Sequence, residues 1–147
     1  MPVTSTIDPI GQAERDAAER ACARLILTYG YLNDARDFDA LADLFTDDAT
    51  LYRPSAPQRA IAGRAAILAA FQARPADLAT FHVCSDILID VEDAGKAAGQ
   101  SRILMLSAAR GAAPSAPPLP GTFRDRFVLT AGGWKFSERR GALWNQP

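Results

Sequence analysis

Between Gln12 and Leu32 apolar residues return every three or four positions. Cys22, Leu25, Ile26, Tyr29 and Leu32 fall on one face, and the spacing predicts a long amphipathic helix. Asp37 reads as the N-cap of a short second helix, Phe38 to Phe45, with Phe38, Leu41, Leu44 and Phe45 as its apolar positions. Thr46-Asp47-Asp48 breaks it with a turn. Ala49 to Arg53 then reads as a short strand ended by Pro54. A third helix over Gly63 to Ala73 turns Ile67, Leu68 and Phe71 inward. Beyond it the chain reads as strands: Phe81 to Val91, Ala97 to Ala109, Thr122 to Thr130 and Trp134 to Gly141. Ala131-Gly132-Gly133 supplies the glycines of a tight hairpin turn. The segment Gly111 to Gly121 holds Pro114, Pro117, Pro118 and Pro120. It is expected to be a stiff extended loop, because proline has no N–H for a sheet ladder.

Helices first and antiparallel strands afterwards predict an α+β fold, with the helices packed on one face of a curved sheet. Residues 1–10 are expected to form a loose arm and residues 11–147 a single domain.

Composition narrows the function. The 147 residues carry a net charge of −1, with 48% apolar and 22% charged side chains, an ordinary soluble balance. No basic stripe offers nucleic acid a footprint, and no apolar run is long enough to span a bilayer. No basic leader followed by an apolar run opens the chain. Cys22 and Cys84 lack metal-ligand spacing and read as small buried hydrophobes, so a reducing, cytoplasmic setting is expected.

Candidate chemistry centres on His82, the single histidine, at the head of the strand Phe81-His82-Val83. Imidazole is the side chain whose ordinary pKa lies nearest neutrality, so it suits proton transfer. One histidine allows neither a two-histidine relay nor a multi-histidine metal site within the chain. Asp34 ends the first helix, where the dipole disfavours a negative charge, whereas Asp37 caps a helix and Asp39 sits in a favourable first turn. Asp125 interrupts the apolar row Phe123, Phe127, Leu129, with Thr122, Arg124 and Arg126 opposite; it is expected to face the interior. Tyr52 alternates with Thr50 and is expected to turn its hydroxyl inward. Ile87, Ile89 and Val91 are read as facing away from His82. With both faces of Ile103 to Leu106 apolar, something must cover the second face of the sheet, and a homodimer is expected.

Four stretches together carry a resemblance: Tyr29 with Asn33-Asp34-Ala-Arg-Asp37-Phe-Asp39 through Asp48; Ile61-Ala-Gly63-Arg-Ala-Ala-Ile67; Phe81-His82-Val83; and Gly121-Thr-Phe-Arg-Asp125 leading to Gly133-Trp134-Lys-Phe136-Ser-Glu-Arg139. In this order they resemble SnoaL-like proteins of the nuclear transport factor 2-like superfamily, over roughly Ala21 to Arg140. The resemblance implies a cone, a strongly bent and mostly antiparallel sheet around the long N-terminal helix, with a pocket at the open end. Asp34, Tyr52-Arg53 and His82 are similar to the scytalone dehydratase branch, where a histidine acts as base and acid. Asn33 stands where that branch has a tyrosine.

The resemblance implies a cofactor-free, metal-free enzyme. It would act as a dehydratase-like lyase or an isomerase on a compact cyclic or aromatic hydroxy or carbonyl compound. His82, Asp34, Tyr52 and Asp125 would be catalytic. Tyr29, Tyr31, Asn33, Arg53, Phe123, Phe127 and Met105 would bind substrate, with Leu104 as a further apolar wall. The rival reading is a non-catalytic binding or assembly domain, or the small subunit of a ring-hydroxylating dioxygenase. A cavity beside His82 and Asp34 discriminates between enzyme and rival.

Overall fold

A computed structural model describes residues 9–145. Helix α1 spans Gln12–Ala35 and buries Ala18, Cys22, Ile26, Tyr29, Gly30 and Asn33 along one stripe. It ends where Arg36 takes a left-handed conformation (φ 60°) and its N–H bonds back to the Asn33 and Leu32 carbonyls. Helix α2 (Phe38–Ala42) is capped by the Asp37 side chain, which accepts from Ala40 N. Helix α3 (Arg64–Gln72) buries Ile67 and Phe71, and Leu68 packs against the same core.

The strands are β1 (Phe45–Arg53), β2 (Ala56–Ala62), β3 (Leu78–Asp93), β4 (Lys96–Ala109), β5 (Leu119–Thr130) and β6 (Gly133–Leu143). They form one sheet in the order β2-β1-β6-β5-β4-β3. β1 and β6 run parallel and every other pair antiparallel. The curved sheet wraps α1, as the α+β cone requires. Its core joins Ile26 and Tyr29 of the helix to Phe45, Leu51, Phe127 and Phe136 of the strands.

Several expectations need correction. Helix α2 stops at Ala42, and Phe45 already belongs to β1, paired with Phe136. Thr46-Asp47-Asp48 is not a turn but an irregular stretch of β1, where Arg64 pairs with Asp47 at 2.9 Å. β2 had no predicted counterpart. It carries Pro57 and pairs only with β1, and a proline is tolerated on such an edge. The proline-rich loop ends earlier than expected, because Pro120 is already in β5, opposite Leu104. Of the predicted arm, residues 1–8 lie outside the described residues, and Ile10 packs against the core.

The largest correction concerns β3. The register with β4 shifts between Ser85 and Leu88, where Asp86 adopts φ 51°. This bulge inserts a residue and reverses the inside–outside alternation. Ile87, Ile89 and Val91 therefore share the inner face with Cys84 and join the core. The large apolar residues left outward on β3 are Phe81, Val83 and Leu88.

Candidate active site

The last turn of α1 crosses the start of β3. At the crossing stands Gly30, where an added Cβ would lie 3.3 Å from Cys84 Sγ and 3.6 Å from His82 Cβ. That close approach carries Asp34 to the strand. Its carboxylate accepts from Thr80 Oγ1 at 2.8 Å and from His82 N at 2.8 Å, and bonds His82 Nδ1 at 2.5 Å. These bonds offset the unfavourable position of an acid at a helix C-terminus. A carboxylate only accepts, so the shared proton belongs on Nδ1. Nε2 has no protein partner among the described residues. The His82 side chain is 6% exposed and lines a cavity of about 200 Å³.

Tyr29 and Asn33 of α1 line that cavity, with Arg53 at the end of β1, Phe71 of α3 and Arg74 just beyond it. Ile103, Met105, Leu119, Phe123 and Leu143 supply apolar wall from β4, β5 and β6. Asn33 is buried and its side-chain carbonyl accepts from Arg74 Nη1. The Tyr29 hydroxyl has no protein partner among the described residues. Burial raises the Tyr29 pKa above that of an ordinary phenol, against the opposing pull of Arg139, Arg53 and Arg74. The phenol stays protonated and able to donate.

Behind Tyr29 and Phe123 lies a buried ion pair. Arg139 Nη1 donates to Asp125 Oδ2 at 3.0 Å, with both side chains fully buried. The guanidinium stacks 3.8 Å from the Phe123 centroid and 4.4 Å from that of Tyr29. Burial pushes the Asp125 pKa up to about 6 although Arg139 pulls it down.

Asp125 thus faces the interior as its row of residues predicts, but it lines no part of the cavity. It holds Arg139 against the aromatic wall. Phe127 is deeper still, packed on Phe136 at 5.1 Å, and is core rather than pocket. Tyr52 is turned away: Leu51 is buried, so its neighbours take the opposite face. The Tyr52 hydroxyl accepts from Arg140 Nη2 at 3.1 Å under an exposed guanidinium. Tyr31 is 77% exposed, because two residues along a helix from buried Tyr29 is more than half a turn. Leu104 is exposed, since its strand neighbours Ile103 and Met105 take the inner face and line the cavity.

The structure brings together His82, Asp34, Tyr29, Asn33, Arg53, Phe123 and Met105. Sequence reasoning missed Thr80 and Arg74. Thr80 was within reach, because residues two apart on a strand share a face and His82 was already marked. Arg74 gave only the weak signal of a basic residue after a helix.

A model of the SnoaL-like domain family matches residues 14–140. No curated protein matches the chain. Solved structures show the same fold. A candidate scytalone dehydratase from Novosphingobium aromaticivorans is 23% identical, with a TM-score of 0.76 over 93% of this chain and 94% of that one. A nuclear transport factor 2-like protein with a cystatin-like fold from the same organism is 23% identical, with a TM-score of 0.77 over 92% and 88%. A hexachlorocyclohexane dehydrochlorinase is 19% identical, with a TM-score of 0.77 over 91% and 90%. The chain is a member of the SnoaL-like domain family.

Proposed function

We propose that this protein is an enzyme that moves a proton within the cavity without a metal or organic cofactor. The observation that carries the reading is His82, nearly buried, oriented through Nδ1 by Asp34, and facing a cavity with Nε2 unpartnered. The substrate class is a compact cyclic or aromatic compound with a carbonyl and a hydroxyl.

His82 Nε2 takes a proton from the carbon beside the carbonyl. The C–H electron pair passes into an enolate, whose oxygen accepts a hydrogen bond from the Tyr29 phenol. Asp34 stabilises the imidazolium formed. In a lyase the enolate reforms its carbonyl and expels the β-hydroxyl, which takes the imidazolium proton and leaves as water. In an isomerase the same proton returns to a different carbon. Structural neighbours named for dehydration and dehydrochlorination favour elimination.

The reading includes a homodimer in the cytoplasm. No helix among the described residues is long and apolar enough to cross a membrane. The surface that supports pairing is the outer face of β3 and β4: Phe81 (62% exposed) and Val83 beside Leu104 and Leu106. Apolar groups gathered on one exposed sheet face are characteristic of an interaction surface.

The test is solvent-deuterium exchange beside the carbonyl, and loss of water, over a panel of small cyclic hydroxyketones. The wild-type chain catalyses both. His82→Gln slows them by about 10²–10⁴-fold while remaining folded. A His82→Gln protein as active as wild type would end the proposal.

A further inference from the structure

Arg53 and Arg74 are more than pocket lining. Both face the cavity, and no carboxylate does. Asp34 is engaged by Thr80 and His82, and Asp125 by Arg139. Arg53 stacks on Phe71 at 5.1 Å, while its Nη2 is buried with no partner. A buried guanidinium donor without an acceptor is costly to leave unmade. Burial first, and then the neighbouring charge of Arg53, pull Arg74 below its ordinary pKa. Arg74 lies over the same Phe71 ring, at 5.9 Å, so two partly desolvated cations share one aromatic ring and repel each other; an anion between them would relieve both the repulsion and the missing hydrogen bond.

We propose that the substrate carries a carboxylate, held by Arg53 and Arg74, on a compact apolar body that packs against Ile103, Met105, Leu119 and Phe123. The proposal deepens the proton-transfer reading and rests on it for the identity of the site. A planar, monovalent anion fits the two-pronged guanidinium. A phosphate dianion fits less well. One Arg74 nitrogen is already spent on Asn33, and Arg74 follows directly on the C-terminal end of α3, the negative end of a helix dipole. The carboxylate end would anchor the molecule while the remaining wall presents its ring to His82.

Calorimetric titration of the whole chain tests this with benzoate, benzamide and inorganic phosphate as probes. Benzoate binds wild type and His82→Gln alike, and binds at least about tenfold tighter than benzamide, which has the same shape without the charge. Arg53→Gln weakens benzoate by about tenfold or more and leaves benzamide unchanged. Arg53→Lys, which keeps the charge and loses the fork, restores part of the difference. Equal binding of benzoate and benzamide, no benzoate binding, tighter binding of phosphate, or an Arg53→Lys protein that is folded but no better than Arg53→Gln would each overturn it. The outcomes also separate the two readings. Activity lost in His82→Gln with benzoate and benzamide bound equally sinks only the carboxylate. Activity retained in His82→Gln with Arg53-dependent benzoate binding sinks only the proton transfer.

Discussion

Asp34, Tyr29 and Asp125 differ in what surrounds them, and so in what their replacement should do. Tyr29→Phe removes a hydroxyl that has no protein partner, so the fold should stand while turnover falls by about 10²–10³-fold; steady-state kinetics beside a melting curve checks both. Asp125 behaves oppositely. Its pKa is raised from 3.8 to about 6 by burial. The native state therefore holds this proton more tightly than the unfolded chain. Asp125 contributes stability that is fully present below about pH 4 and lost as pH rises through 6. Asp125→Asn lacks that loss, so between pH 4 and 7 its melting temperature should gain on the wild type. A difference that does not change with pH would contradict the account. The sequence made this residue visible as a charge in an apolar row. It did not show the partner, because Arg139 and Arg140 look alike in the chain. Only the register with β5 sends Arg139 inward, opposite Asp125.

At the scale of elements, the legible parts were those with a clear period. The stripe of α1, the Asp37 cap and the alternation of β5 all follow from side-chain spacing. What escaped were places where backbone geometry overrides period. β2 carries Ile61 as its one large apolar residue and lies at an edge, and the β3 bulge reverses faces at Asp86, with no glycine to mark it. Asp86 at φ 51° predicts that Asp86→Val lowers stability by about 1–2 kcal/mol, because a branched side chain is strained there. Deleting Asp86 should be far worse, since Ile87 and Ile89 would turn outward. Chemical denaturation measures both. The dyad depends equally on Gly30: Gly30→Val would push α1 off β3 and part Asp34 from His82.

For the whole molecule, the homodimer was inferred from an apolar outer face, and the bulge changes which residues form it. Phe81, Val83, Leu88 and Leu104 replace Ile87, Ile89 and Val91. Sedimentation should show a dimer at micromolar concentration and a folded monomer for Leu104→Asp; a wild-type monomer would count against it. The cone itself was legible because helices precede strands and several weak motifs occur in order along the chain. The cavity was not, since its walls come from α1, α3 and five of the strands and converge only after folding. The central claim concerns the molecule's single imidazole, which ¹⁵N NMR can read without overlap. At a pH where the ring is neutral, Nδ1 should carry the proton and Nε2 should be bare, and Asp34→Asn should abolish this preference. An Nε2-protonated ring, unchanged by Asp34→Asn, would contradict it.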